Sequence, residues 1–110
     1  MQKLKSKSIM GNTTKVIIKM IAEYFKTQPI LKAWLFGSFA RGEETPASDV
    51  DILVQYDEKA RVSLLKLASM SNELETLLDR QVDIVPEKCL RKRVAESINN
   101  DKIMIYERSR

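Results

Sequence analysis

The sequence contains no histidine and a single cysteine, Cys89. Each absence removes a class of chemistry. Without histidine there is no Ser-His-Asp or Cys-His constellation and no imidazole ligand for a metal. One cysteine can neither close an intrachain disulfide nor build a zinc cluster, and with no histidine to activate it Cys89 reads as a small structural or surface residue. No apolar run approaches the ~20 residues of a membrane span. The basic opening Met1-Gln2-Lys3-Leu4-Lys5-Ser6-Lys7 is not followed by the apolar core of a signal peptide. The cytoplasm is therefore the expected compartment, with no membrane partner. Carboxylates, hydroxyls and backbone amides are what remain for catalysis.

What is present is modest in bulk. At 110 residues the chain is one domain, able to bury a core but with little length left for a second, substrate-gripping unit. The formal charge of +4 fits phosphate-bearing ligands and by itself decides nothing.

The pattern along the chain predicts alternating helices and strands. Residues 1–12 are polar and basic, with Gly11-Asn12 as a turn, and are expected to be a flexible N-terminus. Residues 13–107 form the expected domain. From Thr13 to Thr27, Ile17, Ile21, Tyr24 and Phe25 recur at helical spacing up to Pro29. Leu31 to Phe36 is apolar on both faces, as a central strand is; this makes Trp34 a core residue rather than a base-stacking platform. Gly37-Ser38 breaks the strand, Phe39-Ala40-Arg41-Gly42 reads as one helical turn, and residues 43–48 as a polar loop. Asp49 to Gln55 alternates, with Val50, Ile52 and Val54 on one face and Asp49, Asp51 and Leu53 on the other. An amphipathic helix is expected over about Arg61 to Asp79, with Leu64, Leu67, Ala68, Leu74 and Leu78 inward. Gln81 to Val85 is the third strand, stopped by Pro86. A basic helix follows over about Glu87 to Asn100 with a Leu90, Val94, Ile98 stripe, and Ile103 to Tyr106 is a last short strand. This alternation gives an α/β fold.

The chemistry concentrates in three places. On a strand, Asp49 and Asp51 project from one face with Cα atoms roughly 6.6–6.8 Å apart. Two carboxylates so placed repel by ~2–3 kcal/mol at an effective dielectric near 20. A hard divalent cation removes that conflict, and carboxylate oxygens are what Mg²⁺ prefers. Alone, the tripeptide is equally a solvated strand face. Asp83, between core-facing Val82 and Ile84, adds a third carboxylate if its strand lies beside the first; otherwise it is an edge aspartate facing water. Gly37-Ser38, where a strand enters a helical turn, offers unpaired backbone N–H groups and a hydroxyl as an anion cradle. Glycine there permits close approach by phosphate, although the pair is also an ordinary strand-to-helix turn. Arg41 either reaches phosphate or pairs with Glu43 or Asp49. Arg91-Lys92-Arg93 reads as a solvated helix face ahead of a nucleic-acid or acidic-partner site.

Together, Gly37-Ser38-Phe39-Ala40-Arg41-Gly42, the polar loop and Ser48-Asp49-Val50-Asp51-Ile52-Leu53-Val54 resemble the signature of the nucleotidyltransferase superfamily that contains DNA polymerase beta. The Ala-Arg-Gly after Gly-Ser, the Ser-Asp-x-Asp spacing, Val82-Asp83-Ile84-Val85-Pro86 and the closing Ile105-Tyr106-Glu107 are similar to its minimal nucleotidyltransferase branch. The resemblance runs from about Val16 to Glu107 with no departure at a motif position. It implies a single-domain nucleotidyltransferase fold, a mixed β-sheet flanked by helices. It also implies that Asp49 and Asp51 bind metal, two Mg²⁺ ions in all, and that Gly37 and Ser38, with Arg41, hold the triphosphate of ATP. Asp83 then activates the acceptor hydroxyl or shares a metal. Such a site suits in-line displacement, in which positioning and charge neutralisation do most of the work.

Relatives that act on nucleic acids or antibiotics carry extra domains for the acceptor, so nucleic acid is not expected as the direct substrate. Minimal nucleotidyltransferases are commonly antitoxins paired with a HEPN-type toxin, onto a tyrosine of which they transfer AMP. The resemblance therefore implies a protein adenylyltransferase antitoxin and leaves homo- or hetero-oligomers open. Two alternatives remain: a non-catalytic nucleotide-binding module that neutralises a partner by occlusion, and a small-molecule nucleotidyltransferase.

Overall fold

In the computed structural model, residues 12–45, 47–89 and 100–108 are described. Helix α1 spans Asn12–Phe25, strand β1 Ile30–Phe36, the short helix α2 Ser38–Arg41 and strand β2 Val50–Tyr56. Helix α3 covers Leu64–Leu78, strand β3 Val82–Pro86 and strand β4 Ile103–Glu107. Short 3₁₀ turns lie at Glu58–Ala60 and Glu87–Cys89. Of the expected flexible N-terminus, residues 1–11 lie outside the described residues, as do the Leu90, Val94, Ile98 stripe and Arg91-Lys92-Arg93; Asn12, expected in a turn of that segment, instead opens α1. Asn100 and Asp101 are helical.

The four strands form one mixed sheet in the order β3-β2-β1-β4. β1 is antiparallel to β2 and to β4, while β2 and β3 run parallel. A parallel neighbour requires a crossover, and α3 supplies it. The expected α/β class, with a mixed sheet flanked by helices, is the one observed.

The alternation read along β2 decides which face is the core. Val50, Ile52 and Val54 are fully buried, packed with Ala33 and Leu35 of β1 and with Val82 and Ile84 of β3. Against them lie Ile17, Ile21 and Phe25 from α1 and Leu67, Met70, Leu74 and Leu78 from α3. Both long helices therefore cover one face, and the carboxylates of β2 and β3 belong to the other. On that second face Trp34 and fully buried Leu53 form a smaller cluster, flanked by Phe36 and Val85. Trp34 is buried as expected of a core residue, with the Lys102 ammonium 4.3 Å from its ring centroid.

One expectation is corrected in α3. Leu64 and Ala68 are exposed, and Met70 takes a buried place in the stripe. The helix starts at Leu64, with the Ser63 side chain accepting from the Lys66 N–H. Leu64 is thus the first helical residue, and the helix meets the core only from Leu67 onward. Ala68 follows Leu67 by about 100° of helical rotation and leaves the stripe.

Leu74→Ala is therefore expected to cost ~2–5 kcal/mol by opening a cavity in the core. Leu64→Ala, at a residue 80% exposed, should stay within ~0.5 kcal/mol of the parent. Urea unfolding of the two variants checks the phase of the helix; equal losses would place the stripe one turn earlier.

Candidate active site

The site grows from the end of β1. Phe36 pairs with Asp51 across the antiparallel β1–β2 ladder, and the chain must then leave the sheet. Gly37 makes the exit with φ +75° and ψ −151°, a region open essentially to glycine alone. A Cβ at Gly37 would lie 2.4 Å from Asp51 Oδ2. The Asp51 carboxylate thus rests directly against the Gly37 backbone, in space that any other residue would occupy. From Gly37 the chain enters α2, where Gly37 contributes no side-chain cap. The first amides of a helix have no intrahelical partners. Those of α2 begin at half-buried Ser38, next to the Asp51 carboxylate.

Parallel pairing of β2 with β3 places Val50 opposite Val82, Asp51 opposite Asp83 and Ile52 opposite Ile84. Strands in a sheet are about 4.8 Å apart, so Asp51 and Asp83 are nearest neighbours on one face. Asp49 lies two residues before Asp51, outside the β2 ladder, and is exposed. Burial comes first among the causes that hold the Asp51 carboxyl above the usual carboxylate range. The Asp83 and then the Asp49 carboxylates push it further, and the Arg41 guanidinium pulls it back in part. Asp83 and Asp49 therefore bear on Asp51 together, and Arg41 is the cation among the described residues that offsets them there.

Arg41 does not reach Asp49. Its Nε donates to Glu43 Oε1 at 2.9 Å, and its Nη1 lies 3.7 Å from Asp101 Oδ2. Of the pairings open in the sequence, Glu43 is the one formed, and Asp101 is a partner that the sequence does not suggest. Cys89 carries a free, exposed thiol and lies away from this chemistry at the far end of β3.

The residue set suits a divalent cation that arrives with its nucleotide. Among the described residues no three acidic, thiol or imidazole groups already converge into a closed coordination set. Mg²⁺ does not need one: it commonly takes one or two carboxylates and completes its octahedron with substrate phosphates and water. The destabilised Asp51 carboxylate beside Asp83, resting against the Gly37 backbone, has the donor chemistry for that arrangement.

Two residues escaped the sequence reading. Glu75 of α3 accepts a bond from the Val82 N–H at 3.1 Å, fixing the start of the strand that carries Asp83. Arg80, between α3 and β3, donates to the carbonyls of Thr45 and Ser48. Neither follows from hydrophobic periodicity; Arg80 sits three residues before the Asp83 position, and that proximity was its only signal.

Comparison with known proteins gives the family and the fold. Residues 19–110 match the family model described as polymerase beta, nucleotidyltransferase. A Methanocaldococcus jannaschii protein named as a candidate protein adenylyltransferase is 40% identical over 88 residues, 79% of this chain and 85% of its own length. A protein adenylyltransferase of Thermococcus cleftensis is 38% identical over 71 residues, 64% of this chain and 70% of that protein. Among solved structures, a minimal nucleotidyltransferase superposes with TM-score 0.72 at 31% identity, covering 89% of this chain and 98% of the other. The same fold recurs in a Shewanella oneidensis complex of an AMPylated HEPN toxin with an MNT antitoxin, with TM-score 0.66 at 15% identity over 86% and 73% of the two chains. No described helix is long and apolar enough to cross a membrane.

Two outcomes follow. Gly37→Ala should destabilise the fold by ~1–3 kcal/mol from backbone strain alone and displace Asp51, so that nucleotide binding falls more than stability does; thermal melts and calorimetry measure the two separately. Asp51→Asn should melt above the parent at neutral pH in chelator. The native Asp51 binds its proton more tightly than the unfolded chain does. Its stabilising contribution is therefore present below the ordinary carboxylate range and is lost as pH rises through the raised native value. The gap between parent and variant should close near pH ~3.5; a gap that widens on acidification contradicts the charge crowding.

Proposed function

This chain belongs to the polymerase beta nucleotidyltransferase family and is an enzyme of the nucleotidyltransferase class; from that premise we propose that it is a Mg²⁺-dependent protein adenylyltransferase acting on a HEPN-type toxin. The observation that carries the reading is the register of β2 and β3, which sets Asp51 opposite Asp83 while Asp51 lies against Gly37. Metal ligands and a phosphate cradle then share one small space.

In this reading Gly37, Ser38 and the first amides of α2 receive the β- and γ-phosphates of ATP, since a helix start collects anions through its unpaired N–H groups. Arg41 turns from Glu43 toward the triphosphate. Asp49 and Asp51, with Asp83, hold the cation, which supplies charge neutralisation at the phosphates and at the oxygens entering and leaving phosphorus. The acceptor hydroxyl oxygen forms a bond to the α-phosphorus. The bond from that phosphorus to the bridging oxygen of the β-phosphate breaks, pyrophosphate leaves, and Asp83 takes the hydroxyl proton. Solvent exposure of Asp83 suits it to meet an acceptor from outside.

Chemistry and relatives support one reading of the acceptor. The described site offers groups for the nucleotide, and orientation of the second reactant against it contributes ~7–11 kcal/mol to a rate. A protein that presents a hydroxyl to this site would supply that orientation, and a tyrosine of a HEPN-type partner is the proposed one. The protein adenylyltransferases among the relatives and the AMPylated HEPN toxin in complex with the similarly folded antitoxin support that choice.

The test incubates the chain with radiolabelled ATP and Mg²⁺, with and without the HEPN-type product of a neighbouring gene. Label should appear on the partner alone, map to tyrosine and vanish with chelator. Asp49→Asn should slow transfer ~10²-fold or more, as expected on losing a group that stabilises transition-state charge. Silencing of the partner without any transfer of label would favour occlusion instead.

A further inference from the structure

Asp49 is the one carboxylate of the three that the sheet does not hold. β2 begins at Val50, so Asp49 is placed by the loop that leads into the strand. That loop is braced from within: Thr45 N–H donates to Ser48 Oγ at 2.8 Å, and Ser48 N–H donates to Thr45 O at 2.9 Å. Among the described residues, the side chain that bonds this braced turn from another part of the chain lies 32 residues beyond Ser48.

Arg80 follows Asp79, which closes α3 in the left-handed conformation with φ +55°. Its Nη1 donates to Thr45 O at 3.1 Å and to Ser48 O at 3.3 Å. Its guanidinium carbon lies 5.1 Å from the centroid of Phe39, which is fully buried and follows Ser38 directly. The next residue, Gln81, accepts the Val50 N–H at 2.9 Å. One guanidinium thus spans the helical turn after the Gly-Ser cradle, the loop before Asp49 and the entry to the Asp83 strand. Its charge serves no carboxylate in this arrangement: among the described residues none lies within salt-bridge distance of it, and the cation that acts on Asp51 is Arg41.

We propose that Arg80 is a positioning residue that sets Asp49 against the Asp51–Asp83 pair, a role that rests on the adenylyltransferase reading of the site. It acts through two backbone carbonyls and an aromatic face and touches neither substrate nor metal. The guanidinium sets one nitrogen, Nη1, between two carbonyls while its planar carbon lies toward the Phe39 ring. A lysine ammonium, a point charge on a flexible stem, has donors for the carbonyls but no planar group to lie against the ring at the same time.

The experiment compares parent, Arg80→Ala, Arg80→Lys and Asp51→Asn at temperatures well below each melting point. In the metal-free protein, amide hydrogen exchange should accelerate several-fold at Ser48 and Val50 in both Arg80 variants and stay unchanged at Ile52 and Leu53. With a non-hydrolysable ATP analogue, the Mg²⁺ concentration for half-maximal binding should rise ~10- to 100-fold, the range seen when a group supporting a metal ligand is lost. A merely structural role would lower the melting temperature and leave the Mg²⁺ requirement unchanged. If Arg80→Ala does not fold, Arg80→Lys carries the comparison. Asp51→Asn separates the two claims. Impaired binding there with a parental Mg²⁺ requirement in the Arg80 variants overturns the positioning role alone. Parental binding in Asp51→Asn overturns the site itself.

Discussion

Two aspartates face each other across a parallel strand pair, and the structure is organised around that cost. Asp51 and Asp83 share one rung of the β2–β3 ladder, so neither can move away without shifting a strand whose other face is fully buried. The register that buries Val50, Ile52 and Val54 on the helical side is the same register that presses the carboxylates together on the other. A one-residue slip would relieve the charges and send the apolar set into water. The core therefore enforces the crowding, which in the proposed reading a divalent cation with its nucleotide would relieve.

The remaining parts of the site stand in fixed relation to that rung. Phe36 flanks Asp51 on β1, and the chain turns out of the sheet at Gly37 with only a glycine's width left for the Asp51 carboxylate. Helix α2 is four residues long, too short to bury a face of its own beyond Phe39. It delivers backbone amides close to a carboxylate, where in the proposed reading Gly37 and Ser38 would hold the triphosphate and Asp51 the metal. Held in place by Glu75, Arg80 and the Gln81 carbonyl, the junction of α3 and β3 locks this corner. The helical layer on the opposite face packs against the apolar side of the strands and so keeps them in register.

Much of this was legible in the sequence because it depends on local rules. Strict alternation assigned Asp49 and Asp51 to the face away from Val50 and Ile52, and a Gly-Ser at a strand end marked the turn. Asp83 was legible as to face but not as to neighbour. Alternation says which way a side chain points, while pairing of β3 with β2 depends on the α3 crossover. The phase of α3 was misjudged at its start because helical spacing cannot say where a helix first meets the core; Leu64 fits the spacing and lies beyond the packed layer. Arg80 was invisible for another reason. Its partners are backbone carbonyls and a ring brought near by folding, and no spacing rule in a single sequence encodes a carbonyl. Arg41 was legible as a candidate and its partner Asp101 was not, again because the contact crosses most of the chain.

The central claim is that the Asp51–Asp83 rung and the Gly37–Ser38 turn together form one metal–nucleotide site. Nuclear magnetic resonance of the isotopically labelled chain, titrated with Mn²⁺ and a non-hydrolysable ATP analogue, addresses it most directly, since paramagnetic broadening falls steeply with distance from the ion. The account predicts that broadening centres on Asp49, Asp51, Asp83, Gly37 and Ser38, and that it requires the nucleotide for full strength. Broadening centred on any other part of the surface, such as the groove between α1 and α3, would contradict it.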